Sequence, residues 1–179
     1  MSLINDVLDM SRIESGKVKI EESPCSIPIV IHDLRNILQT DIKAKRLDFF
    51  IDTVDVVDED VICDKLRLNQ ILLNCMSNAM KYTKAGGTVG FRIIQKGHAP
   101  EGFADYDFVV KDNGIGMSEE FAEHIFEPFT QEHAENRSSY QGTGLGMSIV
   151  KNLINKMKGT ITLETKQGEG STFTITLPV

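Results

Sequence analysis

Leu68-Asn-Gln-Ile-Leu-Leu-Asn-Cys-Met-Ser-Asn-Ala-Met-Lys-Tyr-Thr83 carries two incompatible patterns on one helix. Leu68, Ile71, Leu72, Cys75, Met76 and Ala79 recur at helical spacing and make an apolar face. Asn74, Asn78 and Lys81 form a separate polar stripe. Asparagine competes poorly for helix interiors because its side chain bonds nearby backbone in other conformations, so a stripe built on two of them needs a reason. Asp64, just upstream, is placed to cap the helix. Read alone, the stripe could be an ordinary solvated face. Asn74 and Asn78 stand one turn apart and can face the same space, where an amide oxygen is a hard neutral ligand suited to magnesium and an ammonium can balance phosphate charge.

Downstream, Asp112-Asn-Gly-Ile-Gly116 closes an apolar strand with a glycine turn. That placement brings a carboxylate out at the sheet edge, able to accept a hydrogen bond from an exocyclic adenine amine. Gly114 and Gly116 permit close approach or positive φ. By itself Asp-Asn-Gly is also a common turn. Gly142-Thr-Gly-Leu-Gly146 then sets alternate glycines before an apolar-periodic helix, where backbone N–H groups can meet phosphate. It is not a dinucleotide fingerprint, since a polar run replaces the required strand, and it lacks the lysine and hydroxyl residue of a P-loop. In this order the three stretches read as one nucleotide pocket.

The rest of the chain is consistent with a single α/β layer structure. Its 179 residues, 41% hydrophobic, suffice for one domain with a substantial core. A net charge of -7 gives no general attraction to nucleic acid, so any polyanion must be held locally. The three cysteines lack paired metal-site spacing, which favours a reducing compartment. No run is apolar and long enough to span a bilayer, and the start lacks signal-peptide character; no direct membrane contact and a cytoplasmic location are expected.

Residues 3–20 place Leu3, Ile4, Val7, Leu8 and Ile13 on a helical stripe that Gly16 interrupts. Such a short helix either packs on this domain or belongs with partners elsewhere. Ser23-Pro-Cys-Ser-Ile-Pro28 reads as a junction, with Pro28 in the first turn of a helix turning Val30, Leu34, Ile37 and Leu38 to the core. Leu47, Phe49 and Ile51 alternate as a strand; residues 88–94 and 106–110 form two more. Ser118 caps a short helix running to Glu127-Pro128, and residues 130–141 are polar and aperiodic. A last helix over 144–157 ends at Gly159, in a C-cap position, before a hairpin of 161–164 and 173–177. Strands interleaved with three long helices predict one sheet covered by helices.

With Phe126-Glu-Pro-Phe-Thr-Gln131 added, the chain resembles the catalytic and ATP-binding domain of sensor histidine kinases, most closely the hybrid kinases. The Leu68–Thr83 stretch is similar to their asparagine box, Asp112–Gly116 to the first glycine box, Phe126–Gln131 to the phenylalanine box and Gly142–Val150 to the second glycine box. The resemblance covers about residues 24–179. It implies the Bergerat fold shared with type II topoisomerases, heat-shock chaperone ATPases and mismatch-repair ATPases: an α/β two-layer sandwich whose mixed, mostly antiparallel sheet is covered on one face by helices. It divides the chain at residue 23, with 23–179 the ATP-binding domain and 1–22, bearing Leu8-Asp-Met-Ser-Arg-Ile-Glu-Ser-Gly-Lys17, resembling the end of a dimerisation and phosphoacceptor helix with its linker. On that reading the chain is a truncation.

The resemblance further implies ATP and Mg2+ as cofactors, with catalytic roles for Asn74, Asn78 and Lys81 and metal ligation by Asn78. Nucleotide contacts fall to these three and to Tyr82, Asp112, Gly114, Ile115, Gly116, Met117, Phe129, Arg137, Gly142, Thr143, Gly144, Leu145, Gly146 and Met147. Asn74 stands where related ATPases carry a water-activating glutamate, and an amide cannot act as that base. This fits transfer to a protein histidine rather than rapid hydrolysis. The implied partners are a histidine-bearing dimerisation domain and a receiver domain with an acceptor aspartate; no nucleic acid is expected. His32, in His32-Asp-Leu-Arg-Asn-Ile37, is only superficially like a phosphoacceptor, because it follows the dimerisation-like segment and lacks the threonine-proline. A topoisomerase-like or chaperone-like ATPase predicts a carboxylate at Asn74 and a coupled transducer domain; a serine-kinase relative predicts serine phosphorylation of a partner, against which the long 24–64 lead-in and the phenylalanine box favour the sensor class; and the intact Asn78, Asp112 and glycine boxes argue against a degenerate nucleotide-binding module.

Overall fold

The computed structural model describes residues 3–97, 101–131 and 142–179. In chain order the elements are α1 (Leu3–Glu14), β1 (Ser23–Ser26), α2 (Ile27–Ala44), β2 (Asp48–Val54), β3 (Asp60–Cys63), α3 (Lys65–Tyr82), β4 (Thr88–Lys96), β5 (Asp105–Asp112), α4 (Glu119–His124), α5 (Gly146–Lys156), β6 (Thr160–Lys166) and β7 (Gly170–Pro178).

The main sheet has the order β2-β4-β5-β7-β6. β2 runs parallel to β4, with Phe50 opposite Gly90, and every other neighbour is antiparallel. Period-two alternation sends Val89, Phe91 and Ile93 of β4, Tyr106, Phe108 and Val110 of β5, and Phe173, Ile175 and Leu177 of β7 into the interior. There they meet the buried residues of α3 and α5. Each fully buried large apolar side chain contributes roughly 1.5–3 kcal/mol, so this one interface dominates the fold's stabilisation. The arrangement is the expected α/β sandwich with a mixed, mostly antiparallel sheet.

α3 forms as its sequence dictates. Asp64 Oδ1 accepts from Arg67 N at 3.0 Å, and its second oxygen accepts from Glu21 N at 2.9 Å, so one carboxylate caps the helix and holds the incoming chain. Ser118 caps α4 through Phe121 N at 3.2 Å, but the helix ends at His124, short of Glu127-Pro128.

Several expectations are corrected. The 23–28 junction forms β1, which pairs antiparallel with β3 in a separate ribbon that turns Cys25 and Cys63 inward. Ile37 lies outside the core at 58% exposure; α2 buries Ile27, Val30, Leu34 and Leu38, and at about 100° per residue Ile37 falls on the flank of that narrow stripe. On α1 the docked side chains are Met10 and Ile13, while Ile4, Val7 and Leu8 face outward. α5 begins at Gly146, not at 144, because Gly144 has φ 72. Beyond its end the left-handed residue is Lys158 (φ 59), not Gly159. Gly159 is needed for space: a Cβ there would strike the Thr176 carbonyl oxygen and Leu177.

Candidate functional site

The inward parity of β5 that buries Tyr106, Phe108 and Val110 carries one step further to Asp112, so its carboxylate turns toward the helix layer and not toward solvent. A buried carboxylate needs donors. Gly114 N supplies one to Oδ1 at 2.9 Å and the Ser171 backbone another. Burial nevertheless pushes the Asp112 carboxyl above its ordinary range, with these bonds opposing the shift.

The turn after Asp112 is fixed on three sides. Asn113 Oδ1 accepts from Thr88 N at 2.8 Å, Ile115 N donates to the Tyr82 carbonyl at 3.2 Å, and Met117 N donates to Thr165 Oγ1 at 3.0 Å. A Cβ at Gly114 would collide with the same Tyr82 carbonyl, and one at Gly116 (φ 60) with the Lys166 carbonyl. These glycines therefore let the turn wedge between the end of α3 and the β6–β7 hairpin.

α3 presents the polar stripe beside the second glycine turn. Asn74 and Asn78 are half-buried, outside the row of Leu68, Ile71, Leu72, Cys75, Met76 and Ala79 that fills the core. A Cβ at Gly142 would press on Lys81 Nζ at 2.8 Å, and one at Gly146 would lie 3.9 Å from Asn74 Oδ1. Burial draws the Lys81 ammonium below its ordinary pKa, and its Nζ sits 5.2 Å from the Tyr82 ring centre. The glycines thus leave a cradle beside the Asn74 amide and the Lys81 ammonium, with Asn78 one turn along α3 from Asn74, groups suited to a magnesium-bound polyphosphate. Among the described residues no group of three or more His, Cys, Asp or Glu is placed to hold a metal.

The second glycine turn leads into α5, whose first-turn N–H groups have no helical partner. Leu145 and Met147 are buried in the core, so only their backbone faces the turn. Phe129 (φ 60), 69% exposed, arches over Gly144, where a Cβ would lie 2.9 Å from its backbone. Gln131 Nε2 donates to the Gly142 carbonyl and ties the phenylalanine segment to the turn. Residues 132–141, including Arg137 and His133, and His98 lie outside the described residues. His32 is exposed on α2 beside Asn36 and Asp33, and His124 pairs with Glu127 at 2.8 Å.

Two contributors escape sequence reading. Thr165 on β6 holds the first glycine turn, and Asp6 on α1 accepts from Thr143 Oγ1 at 2.9 Å. Both lie far in sequence from the boxes they touch, and nothing in their local pattern marks them.

The Histidine kinase-, DNA gyrase B-, and HSP90-like ATPase family matches residues 63–179. The chain is 35% identical over all of its length to the autoinducer 2 sensor kinase/phosphatase LuxQ of Vibrio parahaemolyticus, covering 21% of that protein. It is 36% identical to the circadian input-output histidine kinase CikA of Synechococcus elongatus, over 99% of this chain and 23% of CikA. Full-length ShkA, solved with AMPPNP, superposes with a TM-score of 0.81 at 27% identity, over 98% of this chain and 35% of ShkA. The chain thus spans less than a quarter of the two curated relatives. The buried Asp112 turn wedged against the amide-bearing helix, and the family match over that same region, make this chain a member of the Histidine kinase-, DNA gyrase B-, and HSP90-like ATPase family, with the ATP-binding catalytic domain of sensor and hybrid histidine kinases.

Proposed function

We propose that this chain binds magnesium-ATP between α3 and the two glycine turns and presents the terminal phosphoryl group to a histidine of a dimerisation domain in the parent protein, for relay to a receiver-domain aspartate. The observation carrying the reading is the Asp112 carboxylate, buried at a strand end with backbone donors and held beside the end of α3. Asp112 accepts from the adenine amine. Asn74, Asn78 and Lys81 orient the phosphates beside the Gly142–Gly146 backbone, and Asn78 holds the magnesium. That ion, when bound, neutralises charge on the phosphates. The chain's own residues contribute positioning and electrostatic complementarity, which supply most of the catalysis in phosphoryl transfer.

Residues 1–22 are assigned as the end of a dimerisation helix with its linker, and 23–179 as the nucleotide domain. The asparagine at 74, which cannot activate water as a carboxylate does, favours a phosphotransferase over a fast ATPase. No helix among the described residues is long and apolar enough to cross a membrane; a cytoplasmic site of action follows from the reading as a kinase domain. The test is phosphotransfer. Incubated with magnesium-ATP alone the chain remains unphosphorylated, and addition of a histidine-bearing dimerisation domain yields acid-labile phosphohistidine on that domain. No transfer to any such domain, or phosphorylation of His32 in this chain, overturns the proposal.

A further inference from the structure

α3 ends at Tyr82, which leaves the carbonyls of residues 79–82 without helical partners. All four are satisfied, and the way they are shared is informative. Thr83 Oγ1 donates back to Ala79 O at 2.6 Å. Lys45 Nζ, reaching from the C-terminal end of α2, donates to Met80 O at 2.7 Å, Lys81 O at 2.9 Å and also Thr83 O at 3.1 Å. Only Tyr82 O remains, and it accepts from Ile115 N in the Asp112–Gly116 turn at 3.2 Å. The backbone of the α2–β2 turn locks onto the same place: Gly86 N donates to Lys45 O at 2.9 Å and Asp48 N to Gly87 O at 2.8 Å.

An ammonium has three donors and no acceptor, and three carbonyls at a helix C-terminus are its complement in number and in charge. By occupying the carbonyls on either side of Tyr82, Lys45 fixes the direction of the one that receives the glycine turn. It also fixes the backbone of Lys81, whose side chain reaches the second glycine turn. Lys45 itself belongs to no nucleotide box.

We infer that Lys45 is a positioning residue for the nucleotide site, acting through the end of α3 to set the adenine-side turn and Lys81 together. This rests on the functional reading above. In Lys45→Met the carbonyls of residues 80, 81 and 83 lose their donor, the end of α3 frays, and Ile115 N loses a fixed acceptor. The full chain and its variants are compared at a temperature where each is fully folded, by calorimetric titration with magnesium-ATP and by NMR hydrogen exchange of the Ile115 amide without nucleotide. Lys45→Met weakens ATP binding about tenfold and accelerates Ile115 exchange; Lys45→Gln, which keeps donors without charge, does so less, and Lys45→Arg restores most of both. Val30→Ala, in the core of α2, lowers the melting temperature and moves neither. Should Lys45→Met fail to fold, Lys45→Gln carries the test. ATP affinity unchanged in the folded variants overturns the inference, whatever happens to Ile115, and so does ATP affinity lost equally in Val30→Ala. If the parent chain does not bind ATP, the functional reading fails, whereas an accelerated Ile115 exchange would still support the structural link through Lys45.

Discussion

Thr143 Oγ1, in the second glycine turn, donates a 2.9 Å hydrogen bond to Asp6 Oδ2 on α1. The contact is one of a series along α1: Asp9 Oδ2 accepts from Gln70 Nε2 at 2.9 Å, and Met10 and Ile13 are buried. The first helix is therefore joined to the candidate phosphate turn, to α3 and to the core at once. A hydrogen bond between a hydroxyl and a partly buried side chain contributes on the order of 1 kcal/mol net. A double-mutant cycle of Asp6→Ala and Thr143→Val, read by urea unfolding, should give a coupling of about 1 kcal/mol. Additive effects would show that the bond does not hold α1 in solution.

Asp112→Asn puts a donor where the adenine amine requires an acceptor. ATP affinity should fall on the order of 10- to 100-fold, ATP should lose its advantage over GTP, and inorganic triphosphate binding should change little. The wild-type carboxyl is held above its ordinary 3.8 by burial, so the folded state binds this proton more tightly than the unfolded chain does. As pH rises through that window the Asp112 contribution to stability decreases, while ATP binding strengthens as the acceptor ionises. Paired titrations of ATP binding and unfolding across acid pH should show these opposite slopes, and both should vanish in Asp112→Asn. ATP affinity indifferent to the substitution would remove the adenine role.

Asn78→Ala should leave the melting temperature nearly unchanged, because the side chain stands outside the apolar row of α3. Its effect should appear in magnesium dependence: binding of ATP measured over a magnesium series should shift to higher metal concentration by about tenfold, the scale of one lost metal-ligand contact. Superimposable magnesium curves for variant and parent would exclude Asn78 as the ligand.

Burial pushes the Cys75 thiol from 9.0 up to about 12, and the Cys63 thiol to about 12 with Cys25 beside it as a second cause. Both folded-state values lie above the unfolded one. The stability they contribute is complete below about pH 9 and is lost progressively as pH rises toward 12. Unfolding free energies between pH 8 and pH 11 should therefore fall less steeply in Cys75→Val than in the parent. At pH 8 the native chain should resist iodoacetamide, whereas the chain in denaturant should take up one label on each of its three cysteines. Rapid alkylation of the native protein would contradict the burial.

Much of the framework that carries the candidate site is legible in local pattern. Leu68, Ile71, Leu72, Cys75, Met76 and Ala79 announce the buried face of α3, and the capping roles of Asp64 and Ser118 follow from residue type and position. Ile37 and Gly159 depart from expectation for one reason. Helical spacing gives candidates for a core face, but only the packed neighbour decides how wide that face is and whether a glycine supplies a dihedral or merely room. The 23–28 segment departs because β1 exists only through β3, more than thirty residues away, and a four-residue strand has no period to detect.

Residue order alone is enough to set the chemistry on offer: which side chains can accept, donate or ligate, and which turns glycine leaves open, because these are properties of residue type and short spacing. Their company is settled only by the packing of the layers. That Lys45 closes the end of α3, that Tyr82 O is left for Ile115, and that Asp6 meets Thr143 are long-range pairings. They arise when buried helix ends and turns must satisfy their backbone groups with whatever the packed layers bring within reach.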